Sequence, residues 1–441
     1  MIINRADYIA KLSAKSWNGK VKIITGIRRC GKSFLLSVLF KQHLIETGVT
    51  EDSFIEIDLE KRRDVKYRNP NVLYDYVVKK SSDMGKRYYV FIDEIHLSYR
   101  VKSTDIDEKS VPEEDRELLY TTFYDVLNDL MGHPNLDVYV TGSNSKMLST
   151  DIVTNFRDRG SEIRVYPLSF KEFCQTKDLD KIDALEEYLA YGGMPLAVLE
   201  DDEAEKRKYL INLYKNVYLK DIIERNKLKD ITLLDTLTDV LSSSVGSLTN
   251  PHKLANTACS ILGKTTSDST IKKYINILED AYLFSCSKRW NVKGRKYFGS
   301  IQKYYAVDLG LRNARLNWRQ QERSHLMENI LYNELLMRGL SVDVGVVEVL
   351  QTIDGKRKQS QYEIDFVVNT GKEKVYIQSA LNVDDPEKRK QETFSLKHSG
   401  DFYRKIVVID GNQRMWTDED GIIYVGIIPF LLDVETLKIL I

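Results

Sequence analysis

The sequence predicts an α/β fold that begins with a parallel sheet. Three segments indicate it: "VKIIT" at residues 21–25, "RYYVFIDEIH" at 87–96 and "LDVYVTGSNSKML" at 136–148. Each has a short apolar strand, and the second and third end on polar residues, while the first leads into a stretch with helical periodicity. Polar residues after the carboxyl ends of parallel strands meet at the edge where such sheets bind ligands.

Length and composition limit the number of domains and the class of protein. A chain of 441 residues suggests two to four domains, and 42% hydrophobic residues suffice for buried cores. Lys+Arg and Asp+Glu both total 65, so any nucleic-acid surface must be local. The four cysteines are scattered, without zinc or disulfide spacing. Since no apolar signal core or membrane-length run is evident, we expect a cytoplasmic protein without a membrane partner.

The first strand leads into a phosphate-binding loop pattern. Gly26-x-x-x-x-Gly31-Lys32-Ser33 stands between the strand and a predicted helix, so backbone N–H groups and the helix dipole face an anion. Lys32 is expected to reach the β- and γ-phosphates of ATP, and Ser33 to bind Mg²⁺. The predicted nucleotide-binding residues are Gly26, Arg29, Cys30, Gly31, Lys32, Ser33 and Phe34.

The second strand ends in a pair of acids. Asp93 and Glu94 follow "RYYVFI", the form that a Walker B strand takes. Asp93 is expected to hold Mg²⁺, directly or through water, and Glu94 to polarise the attacking water. Two motifs in this order predict ATP binding and Mg²⁺-dependent hydrolysis.

The third strand predicts a residue that senses the γ-phosphate. Asn144 is the candidate and Ser143 the alternative, because both follow the apolar part of the strand. A polar turn that caps the next helix stays an alternative. The charged segment 98–119, which lies between the second and third strands, is expected to be a mobile surface excursion.

Five signposts in order, "GIRRCGKS", "FIDEIH", "TGSNSKMLS", "VYPLSFKEF" and "YGGMP", resemble a family of bacterial and archaeal AAA-type ATPases. The resemblance covers nearly the whole chain. In this family a winged helix and a restriction-endonuclease-like domain of unknown function follow the ATPase domain. We therefore expect a P-loop ATPase domain at 1–175, a helical lid or linker at 176–230, a winged helix-turn-helix at 231–312, and a nuclease-like domain at 313–441.

The resemblance also implies an arginine finger. Family members usually carry Gly-Arg before the "PLSF" strand; here Asp158 replaces the glycine and Arg159 takes the arginine position. Arg159 could act on the γ-phosphate from the same subunit or from a neighbour, which leaves a homo-oligomer open. Arg157 and a simple surface salt bridge are the alternatives.

The pattern from about residue 231 predicts three helices and a basic hairpin, which is the order of a winged helix-turn-helix. In DNA-binding versions the third helix enters the major groove and the wing contacts phosphates. The candidate DNA-binding residues are Lys272, Lys273, Lys288, Arg289, Lys293, Arg295 and Lys296. Packing between domains, and binding of RNA or another ligand, are the alternatives.

The C-terminal segments follow the order of a restriction-endonuclease-like core. Glu328 on a helix, with Glu363 and Asp365 on a strand, match its metal-binding acids. The next strand offers Gln378 and Ala380 where a working enzyme has Glu-x-Lys. We therefore predict an inactive nuclease-like scaffold whose degenerate site is Glu328, Glu363, Asp365 and Gln378.

Taken together, the sequence predicts an ATPase whose nucleotide state repositions a DNA-binding module, with branched or otherwise structured DNA as one ligand. A switch-type signalling or defence ATPase that binds a protein partner is the alternative. A Mg²⁺-dependent DNA nuclease is the third.

Overall fold

The computed structural model describes residues 2–103, 106–142, 160–263, 265–353, 356–371 and 373–432. The chain forms two compact units, Ile2–Tyr166 and Pro167–Ile441. The division falls near the predicted end of the ATPase domain at residue 175, while the finer division into four domains stays a prediction. None of the described helices is long and apolar enough to cross a membrane.

The N-terminal unit is an α/β unit around a parallel sheet. Its helices and strands are α1 Ala6–Lys15, β1 Val21–Thr25, α2 Lys32–Phe34, a π-helical stretch Leu35–Phe40, α3 Lys41–Glu46, β2 Phe54–Asp58, α4 Pro70–Lys80, β3 Tyr88–Asp93, β4 Val101–Lys102, β5 Tyr120–Thr121, α5 Phe123–Met131, β6 Leu136–Thr141 and β7 Gly160–Arg164. Within the described part of the unit, five strands pair in parallel in the order β2-β3-β6-β1-β7. The carboxyl ends of β1, β3 and β6 therefore meet at one edge.

Apolar side chains cover both faces of this sheet. On one face, Ile23 packs with Leu73 of α4 and Leu127 of α5. On the other face, the ring of Tyr139 lies 5.3 Å from that of Phe40. A parallel sheet needs such cover on both sides, which explains why its strands are nearly continuous apolar runs rather than alternating ones.

The charged segment after β3 has more local structure than a wholly irregular excursion. Short 3₁₀ turns span Ile95–Leu97, Glu108–Ser110 and Glu113–Leu119, and β4 pairs with β5. Leu119 is buried, which anchors the segment at its end.

The C-terminal unit begins with helices and ends with a large sheet. Its elements are α6 Phe170–Phe173, α7 Lys181–Tyr191, α8 Pro195–Leu199, α9 Glu203–Asn212, a π-helical stretch Leu213–Leu219, α10 Lys220–Asn226, α11 Ile231–Ser243, β8 Leu248–Thr249, α12 Pro251–Leu262, α13 Asp268–Asp280, β9 Phe284–Asn291, β10 Lys296–Ala306, α14 Leu309–Arg315, α15 Arg323–Met337, β11 Ser341–Ile353, β12 Lys356–Asn369, β13 Lys374–Ala380, α16 Pro386–Lys397, β14 Arg404–Ile409, β15 Trp416–Thr417, β16 Ile423–Gly426 and α17 Ile427–Leu432.

The hairpin β9–β10 belongs to the same sheet as the strands that follow it. In the described part of the unit the sheet has nine strands in the order β15-β16-β14-β13-β12-β11-β9-β10-β8. β9 pairs in parallel with β11, with Arg289 opposite Val344. The predicted wing is thus continuous with the predicted nuclease-like strands, because β11 satisfies the backbone groups that the edge of β9 would otherwise expose.

Two of the signpost motifs are joined by hydrogen bonds, and this contact is called the joint below. The backbone N–H of Gly193, in "YGGMP", donates to the carboxylate of Asp308 at 2.7 Å, and the N–H of Leu311 donates to the same carboxylate at 2.9 Å. Leu168, in "PLSF", donates its backbone N–H to the oxygen of Gly193 at 2.7 Å. A Cβ on Gly193 would lie 2.1 Å from the oxygen of Leu168, so the approach requires glycine.

This joint predicts a pH-dependent contribution to stability. Burial raises the pKa of Asp308 from 3.8 to about 6, although backbone N–H groups lower it. The folded state therefore binds this proton more readily than the unfolded state. Protonation of Asp308 therefore contributes to the free energy of unfolding. This contribution is complete at pH values below the ordinary pKa of an aspartate and is lost as the pH rises through about 6. Asp308→Ala should lower the free energy of unfolding by about 2–4 kcal/mol, because buried N–H groups lose their acceptor.

Urea unfolding at several pH values checks this prediction. Asp308→Asn keeps a carbonyl oxygen and the side-chain volume, so it should be less destabilised than Asp308→Ala and should lack the slope that Asp308 adds between pH 4 and 6. Equal stability of native protein and Asp308→Ala would contradict the assigned role.

Candidate functional site

The loop between β1 and the following helix curls tightly. Gly26 has φ 136° and Gly31 has φ 95°, while Arg29, an exposed residue, has φ 66°. A Cβ on Gly26 would lie 2.0 Å from the backbone oxygen of Val165, so only glycine fits. The loop leads straight into the helix at Lys32, whose N-terminus is a favourable place for phosphate.

Lys32 lies across this loop. Its side chain is buried, and Nζ donates to the backbone oxygens of Gly26 and Ile27 at 3.1 Å each. These neutral carbonyls are weaker partners for an ammonium than phosphate oxygens are. The ammonium is therefore placed to exchange them for a bound nucleotide.

The other predicted loop residues differ in what they can offer. The side chain of Cys30 is buried and its thiol points to the oxygen of Val165 at 3.5 Å, so Cys30 can contribute only backbone groups. Phe34 is 45% exposed on the first turn of the helix. Arg28, which the sequence did not single out, pairs with Glu60 at 2.9 Å.

The two predicted metal-binding residues are in direct contact. The hydroxyl of Ser33 donates to Oδ1 of Asp93 at 2.9 Å. Burial raises the pKa of Asp93, and hydrogen bonds from Thr141 and Ser33 oppose that rise. Hard oxygen donors suit Mg²⁺, which usually keeps several waters beside one or two protein ligands. The residues present therefore fit a magnesium ion held by Ser33 and Asp93.

Thr141 links Asp93, which ends β3, to Glu94, which follows it. Its hydroxyl donates to Asp93 and accepts the backbone N–H of Glu94 at 2.9 Å. It lies at the end of β6, between the strands that carry the loop and the acids. The sequence showed its signal, a polar residue that ends an apolar strand, but the sensor prediction chose residues beyond it.

Glu94 is held in a constrained position. Its φ is 52°, its side chain is buried, and Oε2 lies 2.9 Å from Nδ1 of His96. Burial alone would raise the pKa of Glu94, but His96, with smaller contributions from Lys32 and Arg28, lowers it to about 2. The carboxylate is therefore ionised and able to orient a water. His96 was not predicted from the sequence.

A cavity of about 260 Å³ opens beside these groups. Ser33 and Asp93 line it, together with Asp58, Lys61 and Arg63. Asp58 ends β2 and is the register partner of Asp93, which explains why it also raises the pKa of Asp93. The predicted sensor Asn144 and the predicted finger Arg159, with their alternatives Ser143 and Arg157, lie outside the described residues.

Most of the predicted DNA-binding residues are on the surface. Lys272 and Lys273 are exposed on α13. The others that are exposed lie on the β9–β10 hairpin: Lys288, Lys293, Arg295 and Lys296. Arg289 was expected at the surface with the others, but it is only 8% exposed. Its guanidinium donates to the side-chain oxygen of Gln361 of β12 at 3.3 Å. Its burial follows from the pairing of β9 with β11, which the sequence did not reveal.

The turn of this hairpin lies against the neighbouring hairpin β11–β12. Nζ of Lys293 donates to the backbone oxygen of Glu348 at 3.0 Å, and the N–H of Val292 donates to Val346 at 2.9 Å. Farther along β12, Arg357 and Lys358 are exposed. They extend the basic surface beyond the predicted set; their signal was the run "KRK" at 356–358.

The degenerate nuclease residues do come together. Glu328 and Asp365 are buried, and Glu363 lies beside them. The side-chain oxygen of Gln378 accepts the backbone N–H of Asp365 at 3.3 Å. A further residue, Lys303 of β10, lies among the three acids and was not predicted.

Two family models match the chain. One, described as an AAA domain, matches residues 18–174; the other, a domain of unknown function (DUF8612), matches residues 182–322. An uncharacterized protein of Haemophilus influenzae is 32% identical over 436 residues, 98% of this chain and 99% of the relative. An uncharacterized protein of Methanocaldococcus jannaschii is 26% identical over 387 residues, 84% of this chain and 77% of the relative.

Solved structures overlap more weakly. The ORC1 protein of Aeropyrum pernix in complex with DNA overlaps with a TM-score of 0.31 at 13% identity, over 72% of this chain and 93% of that chain. Cdc6p of Pyrobaculum aerophilum overlaps with a TM-score of 0.28 at 11% identity, over 72% of this chain and 94% of that chain. Overlaps this weak do not bear on function.

Proposed function

The chain belongs to a family of proteins with a P-loop AAA domain, and from that premise we propose that its N-terminal unit binds ATP with Mg²⁺ and hydrolyses it. The observation that carries the proposal is the contact between Ser33 and Asp93 at 2.9 Å, beside a loop that holds Lys32 at its centre. A phosphate-binding lysine, two oxygen ligands for magnesium and an ionised Glu94 are the parts that phosphoryl transfer to water requires.

Each residue has a distinct part in this proposal. Lys32 leaves the carbonyls of its own loop and binds phosphate oxygens. Ser33 and Asp93 hold Mg²⁺, which neutralises charge on the phosphates when bound. Glu94 orients the attacking water; its pKa of about 2 makes it a weak proton acceptor, so orientation is its main contribution.

We further propose that the C-terminal unit binds DNA, branched DNA included, through the basic residues of its hairpin. Lys293 and Arg295 are exposed on the turn of this hairpin, and the exposed Lys296 and the 55% exposed Tyr297 begin β10. Helices α11–α13 followed by β9–β10 have the element order of a winged helix-turn-helix. In such modules the wing contacts phosphates.

Charge reversal tests the DNA proposal. A variant with Lys293, Arg295 and Lys296 changed to Glu should bind duplex DNA more weakly and with a flatter salt dependence. Each lost phosphate contact reduces the slope of log K against log salt by about 0.9. Fluorescence anisotropy over a salt series measures both quantities. Reversal of Lys79 and Lys80, exposed on α4, is the matched control. DNA binding by native protein that does not depend on salt would contradict the proposal.

A switch-type ATPase that binds a protein partner is the second candidate function. The contact of Glu94 with His96 favours it, because Oε2 of the carboxylate would have to exchange His96 for the water, and this exchange slows turnover. Stimulation of turnover by DNA favours the DNA-coupled function, and indifference to DNA favours the switch.

The four cysteines are unpaired, which supports a reducing, cytoplasmic location.

A further inference from the structure

Lys303 lies at the centre of the acidic cluster in the C-terminal unit. Its side chain is 4% exposed, and Nζ lies 2.8 Å from Oε1 of Glu328 and 2.6 Å from Oε1 of Glu363. Oδ1 of Asp365 lies 3.9 Å from the same nitrogen. One ammonium therefore contacts, in one place, the three acids that a nuclease of this type would use to hold metal.

The surroundings of the cluster are built for this cation. The hydroxyl of Tyr305, two residues along β10, donates to Oε1 of Glu328 at 2.6 Å. The backbone N–H of Ser379 donates to Oδ2 of Asp365 at 2.8 Å. Burial and Glu328 raise the pKa of Asp365, and Lys303 opposes that rise. Buried carboxylates in this number are strongly unfavourable unless a cation and hydrogen bonds compensate them.

A divalent metal does not fit beside this ammonium. Mg²⁺ binds carboxylate oxygens at about 2.0–2.1 Å, and two oxygens of the cluster already contact Nζ. Gln378, at the position of the second acid, uses its oxygen to accept the N–H of Asp365. Among the described residues, no group of three or more acids, histidines and cysteines is arranged to hold a metal ion.

We propose that Lys303 is the resident cation of this centre, in the place where a working nuclease of the predicted fold would hold metal, and that the centre is a structural cluster that needs no metal. This salt-bridge cluster joins three elements. Lys303 comes from β10, Glu328 from α15, and Glu363 and Asp365 from β12. The cluster fixes the basic hairpin to the C-terminal strands, and it leaves no position for the metal that nucleases of the predicted type use. The proposal does not depend on ATP hydrolysis.

The same contacts allow a second interpretation, in which the protein is a nuclease whose catalytic lysine has moved to β10. The two interpretations predict opposite results. If Lys303 is a catalytic group, native protein binds Mn²⁺ at the centre and cleaves DNA, and loss of Lys303 abolishes cleavage. If Lys303 is the resident cation, native protein does neither, and removal of its charge creates a metal site.

Calorimetric titration with MnCl₂ in the absence of nucleotide distinguishes them. Lys303→Met, which keeps the length of the chain but not the charge, should bind Mn²⁺ about tenfold or more tighter than native protein. Lys390→Met, at an exposed position on α16 of the same unit, should bind as native protein does. The N-terminal metal residues are the same in all three proteins, so the difference reports the centre.

A double variant covers the case in which Lys303→Met does not fold. Glu328→Gln removes one uncompensated carboxylate, so Lys303→Met/Glu328→Gln should recover folded protein and raise the melting temperature relative to Lys303→Met. Absence of that recovery would overturn the proposal. So would Mn²⁺ binding by native protein that Glu363→Gln abolishes, Mn²⁺-dependent DNA cleavage that Lys303→Met abolishes, or a folded Lys303→Met that binds Mn²⁺ no better than native protein.

Discussion

Lys32→Ala is expected to lower ATP turnover by at least about 100-fold, the usual loss when a group that stabilises transition-state charge is removed. The physical reason is local. Nζ of Lys32 lies within 3.1 Å of the backbone oxygens of Gly26 and Ile27, inside the loop where the phosphates are proposed to bind. The chain offers no second ammonium from the same helix turn, since Ser33 and Phe34 follow Lys32. Phosphate release assays and titration with a fluorescent ATP analogue measure turnover and binding separately.

The fold should survive this substitution. Lys32 contacts the loop through two neutral carbonyls, and the buried Glu94, whose pKa Lys32 also lowers, keeps its larger stabilising contact with His96. A melting temperature close to that of native protein is the expected control. Lys80→Ala, at an exposed position at the end of α4, should leave turnover unchanged. Native turnover in folded Lys32→Ala would show that hydrolysis occurs elsewhere or that the preparation contains another ATPase.

Glu94→Gln is expected to retain ATP binding and lose turnover by about 10²–10⁴-fold, the range for removal of a residue that takes part in water activation. Glu94 lies next to Asp93, and His96 and Lys32 keep it ionised. Glutamine keeps the shape but not the charge, so the nucleotide and Mg²⁺ should bind while the water is poorly oriented. Single-turnover measurements with Mg²⁺-ATP separate these steps.

Glu60→Gln is the matched control for this second prediction. Glu60 is an exposed glutamate that pairs with Arg28 of the same loop. Its substitution tests whether loss of any carboxylate near the loop slows turnover. If Glu60→Gln and Glu94→Gln slow turnover equally, or if Glu94→Gln abolishes ATP binding, the role proposed for Glu94 is contradicted.

The candidate nucleotide site could be inferred from the sequence because its signals are local. Gly26, Gly31 and Lys32 lie within one strand-loop-helix segment, and Asp93 ends a strand that reads as buried. The parallel sheet then brings the two segments together, as the contact of Ser33 with Asp93 shows. His96 was missed because a single histidine after an acidic pair has no characteristic pattern until Glu94 adopts a left-handed backbone conformation.

The C-terminal unit was predicted less well because its contacts join distant segments. The helices and strands appear in the predicted order, but the pairing of β9 with β11 left no local signal and buries Arg289. Lys303 reaches Glu328 and Glu363 only because β10, α15 and β12 meet around one buried centre. No lysine stands two residues to either side of Ala380, and Lys303 lies on another strand, so spacing in the sequence does not indicate it.

Steady-state ATP turnover with Mg²⁺, measured without DNA and then with duplex, single-stranded and branched DNA, tests whether ATP hydrolysis is coupled to DNA binding. We expect turnover to require Mg²⁺ and to change with at least one form of DNA. Charge reversal at Lys293, Arg295 and Lys296 should abolish this effect of DNA. Folded native protein that shows no Mg²⁺-dependent turnover under any of these conditions would contradict ATP hydrolysis. Turnover that no form of DNA alters would contradict its coupling to DNA.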